Sequence, residues 1–155
     1  MTSRSTDAAD YRFLTASGAS LDVELNHGGE QPVLLIRGNR TGLLSLANIL
    51  LWFVGNSWRR EFLTLAELPF VKLTAALSVT IRLTLGNATG RDGVLAFLDP
   101  NEQMEWTITE DDLQRVALQL HGLVSAPYKE YNRAFLAEGS EAGIEFRMTD
   151  VLEWD

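Results

Sequence analysis

Alternating stretches and helical stretches divide this chain between them. In "LDVELN", Leu21, Val23 and Leu25 alternate with Asp22 and Glu24, which predicts a strand with one buried and one wet face. "YRFLTA" before it reads as a first strand, joined to it by the turn "SGAS". Val33 to Ile36 do not alternate, so that strand is expected to be covered on both faces. The cleanest strand is "LSVTIRLTL", where Leu77, Val79, Ile81, Leu83 and Leu85 alternate with Ser78, Thr80, Arg82 and Thr84. "VLAFLD" returns after a glycine-rich loop, Met104, Trp106 and Ile108 mark the next strand, and "AGIEFRMT" the last. "WRREFLTLAELP" fits neither period cleanly and is read as a strand, with "FVKLTAA" as a link.

Two long segments carry helical spacing. The first follows Gly38, with Asn39 or Thr41 as cap and Gly55 with Asn56 as end. Leu43, Leu46, Ala47, Leu50 and Val54 lie on one side, and Leu44, Ile49, Leu51 and Phe53 fill the flanks. Only Ser45, Asn48 and Trp52 remain as a narrow polar stripe, so something must cover most of this helix. The second helix starts at Thr109, which with Asp112 makes an approximate capping box. Its apolar stripe is Leu113, Val116, Ala117, Leu120 and Val124. Pro127 opens an expected short third helix carrying Tyr128, Tyr131 and Phe135, with Gly139 at its end.

These elements predict an α+β fold: a mostly antiparallel sheet with two main helices and one short helix packed on it. Residues 1–10 read as a disordered lead-in and residues 11–155 as a single domain. Both halves run strands, helix, strand, the pattern of a worn duplication, although no residue-level repeat stands out.

Composition narrows the chemistry. No cysteine is present, which excludes disulfides and thiolate metal sites. The first ten residues lack the apolar core of a secretory signal, and the apolar run Leu43 to Val54 is too short to span a bilayer. A soluble cytoplasmic protein without membrane contact is expected. The formal net charge is -8, and its distribution is uneven. Residues 1–98 hold 9 Lys and Arg against 8 Asp and Glu, whereas residues 99–155 hold 4 against 13. Such a field repels nucleic acid and favours basic partners.

No catalytic signature is found. His27 and His121 belong to no metal or acid–base motif. "GNATGRDG" lacks the lysine and the following helix of a phosphate loop. Trp58, Arg59 and Arg60 are the one aromatic–basic cluster, too little for a nucleic-acid interface in so acidic a chain. No cofactor and no metal are expected. A hydrolase using acids around Asp99 has no motif behind it. The candidate partner-binding residues are the acids Glu102, Glu105, Glu110, Asp111 and Asp112. Ser45, Asn48 and Trp52 are the candidate surface of a homodimer formed through the first helix.

The stretch "GNRTGLLSLANILLWF" resembles the GN-x-x-GL-x-x-LA segment of the immunity protein 32 family, from bacterial polymorphic toxin systems. Gly38, Asn39, Gly42, Leu43, Leu46 and Ala47 carry the resemblance. It implies a non-enzymatic protein that binds and neutralises a cognate toxin. The acidic last third suits a nuclease-type toxin with a basic cleft.

Overall fold

The computed structural model describes residues 14–26, 32–57, 60–74, 77–84, 93–99, 103–125, 132–135 and 142–149. Within them lie nine strands: β1 Leu21–Asn26, β2 Val33–Gly38, β3 Phe62–Thr64, β4 Val71–Leu73, β5 Ser78–Thr84, β6 Val94–Asp99, β7 Gln103–Thr109, β8 Asn132–Phe135 and β9 Gly143–Met148. Two α-helices accompany them, α1 Arg40–Gly55 and α2 Glu110–Ser125. The class is α+β, as expected. Among the described residues no helix is long and apolar enough to cross a membrane.

The strands form two mixed sheets rather than one mostly antiparallel sheet. Sheet A has the order β4-β1-β2-β9-β8 and sheet B the order β3-β5-β7-β6. The sequence-adjacent strands β1–β2, β6–β7 and β8–β9 pair antiparallel, as does β3 with β5. The parallel pairs β2–β9, β5–β7 and β1–β4 join strands remote in sequence. Local alternation reveals hairpins, but not which distant strand arrives beside them.

Three segments depart from the sequence expectation. Leu14 to Ala16 are not a strand; Leu14 packs on the core and the Ala16 N–H donates to Ser45 Oγ at 2.8 Å. The strand expected through "WRREFLTLAELP" is only Phe62–Thr64, followed by a single 3-10 turn, Leu65–Glu67, and the link beyond it forms β4. Of the expected third helix, residues 132–135 form β8 instead, hydrogen-bonded along β9. The spacing of Tyr128, Tyr131 and Phe135 imitates a helix turn, but pairing with β9 decides the outcome; residues 126–131 lie outside the described residues.

Apolar side chains from both sheets meet in one core. Leu34, Ile36 and Phe146 of sheet A and Val79, Ile81 and Trp106 of sheet B surround Leu46 and Leu50 of α1. Leu35 points the other way, yet it is only 6% exposed. Its register neighbours are Glu24 and Glu145, so β2 is shielded on its outer face by strands on either side.

The two halves repeat one topology. Exchanging β1 with β6, β2 with β7, β3 with β8 and β5 with β9 turns the order β1-β2-β9-β8 into β6-β7-β5-β3, with every pairing sense kept. From β2 to β3 the counterpart of each residue lies 70 positions on: Asn39 matches Thr109, and Phe62 matches Asn132. The buried helix positions coincide as well. Leu43, Leu46, Ala47, Leu50 and Phe53 match Leu113, Val116, Ala117, Leu120 and Leu123, all buried. Three of these matches extend to identity, Leu43 with Leu113, Ala47 with Ala117 and Leu50 with Leu120, and Val54 with Val124 is a fourth identical pair in the two helices. Strand β4 is the addition of the first half, without a counterpart among the described residues of the second.

Candidate functional site

The Gly38–Ala47 stretch has a local physical cause. Asn39 caps α1, its Oδ1 accepting from the Gly42 N–H at 2.7 Å. The same oxygen accepts from the Ser20 N–H at 3.2 Å, while Nδ2 donates to the Gly18 carbonyl at 2.8 Å. One side chain therefore ties the chain before β1 to the start of the helix. Both glycines permit the close approach this requires. A Cβ on Gly42 would stand 2.3 Å from the Ser20 carbonyl oxygen, and one on Gly38 would stand 2.1 Å from Leu21 Cδ2.

The cover of α1 comes from within the chain. Helix α2 packs along it, and Asn48 Oδ1 meets His121 Nε2 at 2.8 Å. Ser45 is fully buried beneath Ala16, and Trp52 is half-buried against the core. The stripe Ser45, Asn48, Trp52 thus faces other parts of the same chain, where its polar atoms meet their partners. Ser45 is closed off from any second copy, while Asn48 and Trp52 stay partly exposed.

The ends of the two helices are locked reciprocally. The Arg40 guanidinium, at the start of α1, donates to the Val124 carbonyl near the end of α2. There a cation opposes the negative end of the helix dipole. Ser57, just past the end of α1, donates to Glu110 Oε2 at 2.8 Å, at the start of α2. Arg40 and Glu110 are counterparts in the repeat with opposite charge.

The expected acids separate into groups. Glu105 lies on β7, and Arg82 of β5 donates to its Oε2 at 2.9 Å. Glu110, Asp111 and Asp112 form the first turn of α2. Asp111 is exposed, while Asp112 donates its N–H to Thr109 Oγ1 at 3.2 Å and stands 3.8 Å from Arg115. Glu102 lies outside the described residues, as do His27, Trp58 and Arg59; Arg60 is bonded to Glu67 at 2.9 Å. The side chain of Asp99 is likewise outside the description.

The structure adds Glu61 to this group. The Leu83 N–H donates to the Glu61 carbonyl at 2.9 Å, and Thr84 stands opposite Thr109, so Glu61 and Glu110 flank the end of β5. Between them opens a cleft of about 200 Å³, lined by Ser57, Glu61, Leu83, Thr84 and Glu110. Its chemistry is two carboxylates and two hydroxyls around an apolar leucine. Sequence spacing held no sign of Glu61, because two separate strand pairings bring it there. Among the described residues, no three His, Asp or Glu side chains converge as metal ligands.

Comparison with known proteins brings no relative to this geometry: no protein-family model, curated protein or solved structure matches the chain.

Proposed function

We propose that the protein acts by binding, as an immunity-type inhibitor that neutralises a basic, nuclease-type toxin at the acidic end of α2. The observation that carries this reading is the cleft between Glu61 and Glu110, with Asp111 exposed beside it. Two carboxylates flanking an apolar patch suit an arginine side chain: the guanidinium pairs with the acids and the methylene stem lies on Leu83. The excess of acid in the last third of the chain steers a basic partner toward this end. The resemblance of Gly38–Phe53 to immunity proteins supports the same class.

The test is co-expression with a basic nuclease-type toxin domain, taken from the genes beside this one where they encode such a domain. Cells carrying both are expected to survive, and the purified pair to weaken steeply between low and high salt. Replacing Glu61 and Glu110 together by Gln is expected to lower affinity about 10- to 100-fold. Salt-independent binding, or full protection by the double variant, refutes the acidic-cleft reading.

A further inference from the structure

We infer that the outer face of sheet B is a self-association surface, on which a second copy of this chain packs about a twofold axis. Two register rows define the face: Phe62, Arg82, Thr107 and Val94, then Thr64, Thr80, Glu105 and Ala96. All eight side chains are partly or fully exposed, and their inward neighbours Leu63, Val79, Ile81, Met104 and Trp106 are buried.

Three properties set this face apart. First, its polar groups already satisfy one another. Thr64 Oγ1 and Thr80 Oγ1 are 3.2 Å apart, Arg82 donates to Glu105 at 2.9 Å, and Thr107 Oγ1 donates to Glu105 Oε1 at 3.4 Å. Covering such a face leaves few orphaned donors or acceptors, so desolvation costs little. Second, it is neutral. Its one cation and one anion cancel within a chain of net charge -8, so two copies meet here with little local repulsion. The outer face of sheet A carries three acids, Asp22, Glu24 and Glu145, and three bases, Arg37, Lys72 and Arg147, so covering it would desolvate six charges rather than two. Third, two of the three exposed large hydrophobics among the described residues belong to sheet B: Phe62 at 47% and Leu98 at 57%. Arg82 lies over one side of the Phe62 ring, 5.5 Å from its centroid.

The charge pattern selects the occupant. A twofold axis near the centre of the face brings Arg82 of each copy to Glu105 of the other, closing an alternating ring of four charges. An unrelated partner has no reason to carry that pattern. Four strands of three to seven residues give a face of at most roughly 19 by 23 Å. That is small for a specific interface, so a dimer of micromolar affinity is expected.

Sedimentation equilibrium of the full chain tests this. The mass is expected to rise from 17.2 kDa toward twice that value with concentration. Phe62→Glu with Leu98→Glu is expected to raise the dimer Kd at least about 30-fold, with the circular-dichroism melt unchanged. If the double variant does not fold, Leu98→Glu alone carries the test. Arg82→Glu is expected to weaken the dimer about 10-fold, and adding Glu105→Arg to restore it. A monomer at about 0.5 mM overturns the inference. So does a dimer indifferent to these changes, which would place the contact elsewhere.

Discussion

Helix α1 and helix α2 occupy the same place in two copies of one unit, and they solve the same packing problem with different surroundings. Both bury an L-x-x-[LV]-A-x-x-L stripe against the core. Around that stripe α1 carries Leu44, Ile49 and Leu51, where α2 carries Gln114, Gln119 and His121. The difference follows from what lies on top. The chain before β1 crosses α1 and is held by Asn39 and Ser45, whereas α2 leaves Asp111, Gln114 and Leu118 exposed. Repeated topology therefore fixes which positions are buried beneath a helix, and the added segment decides how apolar its other sides must be.

The sharpest way to break this equivalence is to excavate both stripes. Leu50→Ala and Leu120→Ala are each expected to cost about 2–5 kcal/mol by chemical denaturation, and to agree within about 1.5 kcal/mol. A near-neutral result at either site would mean that the two helices do not share one load. The next comparison is at the clasp. Gly42→Ala is expected to destabilise by about 1–3 kcal/mol, because its Cβ meets the Ser20 carbonyl, while its counterpart change Asp112→Ala stays below about 1 kcal/mol. At the caps, Asn39→Ala is expected to cost about 2 kcal/mol and Thr109→Ala about 1 kcal/mol, since Asn39 also holds Ser20 and Gly18. The smallest effect is expected at the lock between helix ends. Glu110→Gln keeps an acceptor for Ser57 and is expected to change stability by less than about 0.5 kcal/mol. A larger loss there would assign Glu110 to holding the fold rather than to meeting a partner.

Much of this was legible one element at a time. The alternation of Val79, Ile81 and Leu83 and the stripes of both helices gave strands and helices where they stand. The element order suggested a worn duplication, but its residue register was not legible, although Leu43, Ala47, Leu50 and Val54 recur unchanged 70 residues later. The flanks of the two helices differ too much for the repeat to show in hydrophobicity, and the strands that complete each sheet come from the other half. The candidate site was half legible. Acids in the first turn of a helix are a local signal, and Glu110, Asp111 and Asp112 were found that way. Glu61 depends on β3 meeting β5 and β5 meeting β7, which no short window of sequence contains. Ser45 and Asn48 were read as outward because polar side chains usually are. Here each has a partner on another segment of the same chain.

Strand β9 sits between β2 and β8, so its arrival completes a layer whose first strands, β1, β2 and β4, were made long before. During synthesis, β1, β2 and α1 emerge from the ribosome with the β9 edge of β2 unpaired, and Phe146 reaches Leu34, Ile36 and Leu46 only when nearly the whole chain has followed. Such delayed closure slows folding and exposes the nascent chain to aggregation. Loss of the strand by premature termination would leave a sticky half-built protein rather than a smaller stable one.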